Sequence, residues 1–354
     1  MNSILKMIIK IILLVILLIF VVLGGLIIHG SLTVFKPEKT EVVTVENNLK
    51  PKVVANELSL LIWNIGYSGL GKEMDFFYDG GKTVYGKKDL IEGYLNKNIE
   101  YLSKHKNTDF VLLQEVDRNS WRSHKTNQYK AINKLLNSHA AAFATNYKVQ
   151  FLPFPFNKPL GKIWSGLATY SKYQPTESTR YQFPGSYSWP KSNYLLKRCF
   201  LLQRFKTNNK KDLVVINTHN SAYDSGGSLK KEEMAYLKNI LLQEFEKGNY
   251  IIVGGDWNQT PTNFNNNTFK KIEESYDQIP IAKDYLPNNW QWIYDAGTAT
   301  NRKLAKPFEV AYTFTTIIDF YLLSPNIEVI SVKTDNLNFE SSDHQPVNLN
   351  IKLN

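Results

Sequence analysis

The sequence predicts one large α/β or α+β body that follows an apolar N-terminal segment. Short runs of strand-forming apolar residues alternate with longer segments whose apolar residues recur at helical spacing. The chain has 354 residues, of which 43% are hydrophobic and 13% aromatic, so a sizeable core is available. Cys199 is the only cysteine, so an intramolecular disulfide is impossible and packing must stabilise the body.

The first 30 residues predict a membrane anchor. Lys6 and Lys10 precede an uncharged stretch from Ile11 to Ile28. At about 1.5 Å per residue this stretch is ~27 Å long as a helix, close to the hydrocarbon thickness of a bilayer. No clean Ala-x-Ala site follows, which favours a retained single-pass anchor over a cleaved signal peptide. The lysines on its N-terminal side predict an extracytoplasmic location for the body.

Residues 31–56 are predicted to be a tether, and residues 57–354 to be the body. Pro37, Pro51 and several charges interrupt the tether, and a short strand is expected at 40–46. Within the body, apolar residues at helical spacing predict helices over 90–105, 128–140 and 228–248.

Several predicted strands carry a polar or ionisable residue at or near one end. The runs at 58–66, 109–116, 212–220 and 315–324 contain Asn64, Glu115, His219 with Asn220, and Asp319. Asp256 and Asn258 follow a further run, and Asp343 and His344 precede the last one. A carboxylate and an amide two residues apart on a strand point the same way, so they can hold a divalent cation or a water. A carboxylate beside an imidazole supplies an acid or a base. Together these pairs indicate metal-assisted phosphoester hydrolysis.

The chain carries six short motifs whose order resembles that of the endonuclease/exonuclease/phosphatase superfamily. In chain order they are WN, QEV, NTHN, GGDWN, IDFYLLS and SDH. This superfamily includes pancreatic-type deoxyribonucleases, abasic-site endonucleases, neutral sphingomyelinases and inositol polyphosphate phosphatases. The resemblance extends from about Leu58 to the C-terminus. It implies a four-layer α/β sandwich, in which two packed mixed β-sheets are flanked by helices.

The resemblance also implies a Mg²⁺ site, with Mn²⁺ or Ca²⁺ as alternative ions. Glu115 corresponds to the principal metal ligand, Asn64 supports the metal or a phosphate oxygen, and Asp343 assists the metal region. Hard cations of this kind prefer oxygen ligands.

The remaining matched residues are implied to act on the water and the phosphate. Asp256 orients or deprotonates the water, and Asn258 binds the phosphate or the nucleophile. Asp319 orients the imidazole of His344, which acts as a base or as a phosphate-stabilising cation. His219 contacts the phosphate or the leaving oxygen.

Two further residues are candidate substrate contacts. Asn220 is expected to line the same pocket, and Arg198 is a candidate phosphate contact.

Three loops are candidates for setting specificity. The loop at 69–84 follows Asn64, and the loops at 151–164 and 185–194 are rich in proline and aromatic residues. The first loop would overhang the active site, and a substrate lid and a packed surface loop are equally open interpretations of it. For the other two loops, membrane insertion and stacking on substrate are open, but packing over a sheet is the commoner role of such loops.

The leading functional hypothesis is a membrane-anchored, exported, metal-dependent phosphodiesterase or phosphatase. Its substrates are expected to be lipid headgroups or other extracytoplasmic phosphoesters, with the bilayer bound through the N-terminal helix. The alternative is a surface-tethered endonuclease that degrades DNA or RNA. The net charge of +10 fits attraction to phosphate, but charges of both signs are mixed along the chain, which favours an ordinary solvated surface.

An inactive binding module would require the loss of Glu115, Asp256, Asp319 or His344, and all four are present. No protein partner is inferred. The leaving group, the number of metals and the oligomeric state stay open.

Overall fold

In the computed structural model, residues 3–224, 226–265, 268–269, 272–274 and 279–354 are described. Two seven-stranded β-sheets pack face to face, and helices cover both outer faces. This architecture confirms the four-layer sandwich that the family resemblance implies.

The helices are close to those predicted from apolar spacing. Their bounds are α1 (Ser3–Thr33), α2 (Lys88–Lys104), α3 (Gln128–Leu135) and α4 (Ser228–Glu246). Helix α3 ends earlier than the predicted residue 140, because a long strand begins at Ala140. Helix α4 ends just before Gly248, whose φ of 79° lies in the left-handed region that glycine adopts readily.

The described residues contain sixteen strands, several of them only two or three residues long. The bounds are β1 (Thr40–Val42), β2 (Val45–Glu46), β3 (Glu57–Asn64), β4 (Phe110–Asp117), β5 (Ala140–Leu152), β6 (Gly161–Ser171), β7 (Glu177–Gln182), β8 (Cys199–Lys206), β9 (Asp212–His219), β10 (Tyr250–Asp256), β11 (Gln291–Ile293), β12 (Asn301–Arg302), β13 (Thr315–Thr316), β14 (Asp319–Leu323), β15 (Ile327–Thr334) and β16 (Val347–Leu353).

Both sheets are mixed, and each contains one parallel pair. The first sheet has the order β1-β7-β8-β9-β10-β14-β11, and the second has the order β15-β16-β3-β4-β6-β5-β2. Strands β9 and β10 are parallel in the first sheet, and β3 and β4 are parallel in the second. Parallel strands end at the same edge, so His219 and Asp256, which are register partners, lie side by side.

The main core lies between the two sheets. Ile62 and Leu112 of the second sheet belong to one buried cluster with Val215, Ile252 and Tyr321 of the first. Burying side chains of this size stabilises the fold by about 1.5–3 kcal/mol each. This continuous apolar layer buries the inner face of each sheet.

Helices complete the outer layers. Helix α4 buries Met234, Leu237 and Leu241 against the first sheet. Helices α2 and α3 contribute Leu102 and Ile132 to the cluster on the outer face of the second sheet.

The segment expected to be a tether is partly folded onto the body. In place of one short strand at 40–46 there are two, and they join different sheets: β1 pairs with β7, and β2 pairs with β5. Val54 is also buried in the main core. Each of these short strands becomes the outermost strand of its sheet and covers the edge that β7 or β5 would otherwise expose.

Within the described residues, α1 is the one helix long and apolar enough to cross a membrane. None of its most apolar stretch is buried, so it is not a core helix of the body. Gly30 is its single buried residue.

Candidate active site

A β-bulge directs Glu115 into a large cavity. The register between β4 and β6 shifts between Leu113 and Val116, and Glu115 has a left-handed φ of 55°. Bulges commonly redirect a side chain beside a functional site. Strand β4 therefore does not end at Glu115, as the sequence suggested, but continues to Asp117. The Glu115 side chain remains 24% exposed and lines the cavity.

Asp256 ends β10 and lies at the centre of the site. Its Oδ1 accepts a hydrogen bond of 2.9 Å from the backbone N–H of Asn258, and its Oδ2 accepts one of 3.0 Å from Nδ2 of Asn64. Asn258 has a φ of 50°, a conformation that asparagine tolerates better than most residues. The two hydrogen bonds fix the Asp256 carboxylate in place.

His219 ends β9 beside Asp256. Its Nε2 lies 3.4 Å from Oδ2 of Asp256 and 3.9 Å from Oε1 of Glu115. Burial, assisted by the nearby charge of Arg198, holds the pKa of His219 well below its ordinary value. The imidazole is therefore neutral at neutral pH. Its Nδ1 has no hydrogen-bond partner among the described residues.

His344 faces Asp256 from the second sheet. Its Nδ1 lies 2.8 Å from Oδ2 of Asp319, and its Nε2 lies 3.8 Å from Oδ2 of Asp256. Burial alone would lower the pKa of His344, but the surrounding carboxylates, led by Asp319, outweigh it and raise the pKa well above its ordinary value. The hydrogen-bonded Asp319 carboxylate therefore favours the protonated form of the His344 imidazole.

The carboxylates around Glu115 fit a hard divalent cation. Burial raises the pKa of Asp343 to about 7, and the negative charge of Glu115 adds to this effect. Over the described ranges, no lysine or arginine forms an ion pair with either carboxylate. A divalent cation with oxygen ligands would relieve this repulsion.

Asp256, Asp319 and His344 form a second group, whose ligand atoms lie within 4.8 Å of one another. Since Nδ1 of His344 already bonds to Asp319, this group is better interpreted as a hydrogen-bonded relay.

Asn64 lies behind the site. Its Oδ1 accepts a hydrogen bond from the backbone N–H of Gly66, while its Nδ2 holds Asp256 and lies 3.4 Å from Nε2 of His344. Asn64 thus positions the Asp256 carboxylate, and its support of the metal stays a prediction.

The side chain of Asn220 does not line the cavity, contrary to expectation. Its Oδ1 accepts a hydrogen bond from Oγ1 of Thr218, and its Nδ2 lies 3.5 Å from Sδ of Met234. Its backbone carbonyl instead accepts a hydrogen bond from Nδ2 of Asn258. The reason is that strand alternation turns Asn220 to the face opposite its neighbour His219.

Arg198 does line the cavity. One of its guanidinium nitrogens, Nη1, is buried and has no hydrogen-bond partner in the part of the chain that the structure describes. This donor is available to an anionic ligand.

Two side chains of the cavity wall, those of Arg122 and Asn301, were not predicted from the sequence. Arg122 forms a two-pronged ion pair with buried Asp117 and lies 3.7 Å from the centroid of the Tyr67 ring. Asn301 approaches Nε2 of His344 to 3.1 Å. Arg122 lies seven residues after Glu115, and this short separation was the only feature of the sequence that linked it to the site. Asn301 had none, because it lies in a two-residue strand.

The cavity has a volume of about 870 Å³. Most of the charged groups described above line it, together with seven aromatic side chains. These aromatic residues are Tyr67, Phe76, Tyr78, Tyr147, Phe183, Tyr187 and Tyr223.

The sequence profile of the endonuclease/exonuclease/phosphatase family matches residues 63–344. No curated protein matches the chain.

Solved structures share the fold at low sequence identity. An endonuclease/exonuclease/phosphatase from Beutenbergia cavernae is 16% identical, with a TM-score of 0.53 over 84% of this chain and 72% of that one. ANGEL2, described as a 2',3'-cyclic phosphatase, is 15% identical, with a TM-score of 0.54 over 84% of this chain and 95% of that one. Truncated TDP2 from Caenorhabditis elegans is 14% identical, with a TM-score of 0.51 over 84% of this chain and 97% of that one.

Proposed function

Because the chain belongs to the endonuclease/exonuclease/phosphatase family, whose members hydrolyse phosphoester bonds, we propose that it is a membrane-anchored, metal-dependent phosphoester hydrolase. Its body would lie on the extracytoplasmic side. The observation that carries this proposal is the convergence of two imidazoles and two carboxylates at one cavity. Nε2 of His219 and Nε2 of His344 both lie within 4 Å of Oδ2 of Asp256, and Glu115 is 3.9 Å from His219.

Glu115 and Asp343 would hold the cation, which we propose to be Mg²⁺, with Mn²⁺ or Ca²⁺ as alternatives. When bound, the ion would neutralise charge on the non-bridging phosphate oxygens. In support of this assignment, the bulge directs Glu115 into the cavity, and buried Asp343 lines the same cavity.

The chain's own groups would handle the protons. Asp256, fixed by Asn64 and by the backbone of Asn258, would orient a water and accept its proton. His344, whose ring is held in place by Asp319, would carry a proton near the phosphate. Neutral His219 would contact the phosphate or the leaving oxygen.

Anionic substrate would find donors in the cavity wall. The unpaired Nη1 of Arg198 supports a role in binding phosphate. Preorganised donors of this kind commonly contribute much of the barrier reduction in a water-excluded site.

The anchoring proposal is supported by the exposed, apolar length of α1. Membrane fractionation followed by protease treatment of intact cells tests it. A retained anchor gives full-length protein in the membrane and a body accessible from outside. Release of a shortened soluble body, or protection of the body, would contradict it.

A substrate screen tests the activity. The full chain in detergent would be assayed with bis(p-nitrophenyl) phosphate, phospholipid vesicles and plasmid DNA, with Mg²⁺ or with a chelator. We expect hydrolysis of at least one phosphoester, loss with chelator and recovery with added metal. Nuclease activity alone would favour the surface endonuclease. The proposal fails if no phosphoester is cleaved, or if the chelator has no effect.

A further inference from the structure

The end of α1 is packed against the wall of the cavity. The hydroxyl of Tyr194 donates a hydrogen bond to the backbone carbonyl of Leu26. The Tyr194 ring also lies so close to Gly30 that a Cβ at this position would overlap it. A larger residue at position 30 would have to displace the Tyr194 ring. The contact is therefore a built junction between α1 and the body.

This junction lies at the expected boundary of the bilayer. The apolar stretch of α1 ends at Ile28, and the next polar side chain beyond His29 is Ser31. Nε1 of Trp189 and Nδ2 of Asn193 both donate hydrogen bonds to Oγ of Ser31, at 3.3 Å and 2.9 Å. Tryptophan and tyrosine are enriched at membrane–water interfaces, so Trp189 and Tyr194 suit this level.

The same loop forms one wall of the cavity. Lys191, Leu195, Leu196 and Arg198 all line it. Tyr194 and Leu196 pack on the buried cluster that also contacts Phe77 of the loop after Asn64. This wall of the cavity therefore lies beside the end of α1.

Exposed aromatic side chains border this region. We call Tyr78, Phe154, Phe156 and Trp189 the aromatic rim. Their exposures are 42%, 44%, 67% and 66%. The ring centroids of Tyr78 and Phe154, and of Phe154 and Phe156, are each 6.1 Å apart. These contacts link Tyr78, Phe154 and Phe156, whereas Trp189 is held at the junction with α1. Exposed apolar groups of this kind commonly mark an interaction surface.

Two lysines follow rim residues closely in the chain: Lys158 is two residues after Phe156, and Lys191 is two residues after Trp189. Lys158 lies 4.1 Å from the centroid of the Tyr85 ring, and Lys191 lies 4.8 Å from that of Tyr187. Aromatic residues with neighbouring lysines suit an interface that carries anionic headgroups.

We propose that the aromatic rim rests on the bilayer that α1 spans, and that the cavity takes the phosphoester headgroup of a lipid from that surface. This inference rests on the proposed function and names the substrate class of the same site. The contact with α1 favours a bilayer over nucleic acid, because it holds the rim at the interface whether or not substrate is present.

Docking can be measured without any activity. Cys199 is fully buried, so a cysteine introduced by Phe156→Cys can be labelled selectively with an environment-sensitive fluorophore. Ile330→Cys is the matched control. Ile330 is 51% exposed on β15, at the sheet edge about 24 Å across from β5, which α1 contacts.

In proteoliposomes that contain the full chain, a headgroup-level quencher lipid should quench the label at position 156 and spare the label at position 330. Equal quenching at both positions, or at neither, would overturn the docking surface.

The substrate class is tested with Phe154→Ser/Phe156→Ser, because neither side chain lines the cavity. We expect at least a tenfold lower rate on vesicle phospholipid, which corresponds to about 1.4 kcal/mol, and an unchanged rate on bis(p-nitrophenyl) phosphate. An unchanged rate on both substrates, or an equal loss on both, would overturn the inference. So would a selective loss on an oligonucleotide.

The two proposals can fail separately. If position 156 is quenched but the wild type cleaves no phosphoester, the docking surface stands and the proposed function fails. If soluble phosphoester is cleaved but position 156 is not quenched, the proposed function stands and this inference fails.

Discussion

Nδ1 of His344 lies 2.8 Å from Oδ2 of Asp319, and both residues are buried. A carboxylate in this position fixes the tautomer and the orientation of the ring. Nε2 is thereby directed toward Asp256, at 3.8 Å. The pair joins β14 of the first sheet to the chain just before β16 of the second, so the packing of the two sheets creates the relay.

Asp319→Asn should lower kcat about 10²–10⁴-fold with little change in KM, because the ring loses its orientation and charge partner while the cavity keeps its shape. Steady-state kinetics with bis(p-nitrophenyl) phosphate measures this effect. Asp295→Asn, a change on a partly exposed loop, is the control. A kcat that Asp319→Asn leaves unchanged would contradict the role of Asp319 in orienting His344.

Glu115→Gln should weaken the apparent affinity for Mg²⁺ by at least 10–100-fold, because it removes one of the two carboxylates assigned to the cation. Activity measured against Mg²⁺ concentration gives this shift directly. Glu328→Gln, on exposed β15, should leave the curve in place. The assignment of Glu115 is wrong if both variants titrate like the wild type.

Gly255→Ala should destabilise the protein by about 1–3 kcal/mol and reduce activity. Gly255 has a φ of 146°, and a Cβ there would overlap the carbonyl of Thr218 in the strand next to it. The strain falls directly before Asp256. Gly93→Ala in α2, where an added Cβ meets no atom within 4 Å, should instead be neutral or stabilising by up to about 1 kcal/mol. Thermal unfolding of both variants measures the two changes in stability. Equal stability changes for Gly255→Ala and Gly93→Ala would contradict the prediction.

Glu244 gives a pH prediction far from the site. Burial opposes ionisation of its carboxylate, but hydrogen bonds from Arg204 and two neighbours outweigh it and lower the pKa of Glu244 to about 2. Since this pKa is depressed on folding, the unfolded chain takes up the proton first as pH falls. The stabilisation is therefore complete above about pH 4.5 and disappears toward pH 2.

Glu244→Gln should accordingly cost about 2 kcal/mol at pH 7, with a difference from the wild type that shrinks below pH 4. Glu246→Gln, an exposed change on the same helix, should show neither effect. Unfolding curves at pH 7 and pH 3 measure both. A Glu244→Gln penalty that is the same at the two pH values would contradict the ion-pair explanation.

Much of the fold was predictable because buried strands and amphipathic helices have distinct apolar periods. The runs that contain Ile62 and Ile252 have almost no polar residues, since the sheets bury both faces of these strands. Helix α4 was predicted to within two residues at each end. The order of the six short motifs along the chain was enough to indicate the family.

The rest depends on tertiary geometry that local patterns do not encode. The bulge at Glu115 is a register shift against β6, a strand about fifty residues away. Asn220 follows His219 directly, yet the side chains of these two neighbours point to opposite faces. Asn301 reaches His344 through a short strand that has no periodicity of its own.

Crystals of the protein soaked in Mn²⁺, a stand-in for Mg²⁺ with an anomalous signal, test the central claim most directly. We expect an anomalous peak in the cavity within about 2.3 Å of carboxylate oxygens of Glu115 and Asp343. Crystals of Glu115→Gln should show no such peak. A wild-type cavity without a peak, with Mn²⁺ bound only elsewhere on the protein, would contradict it.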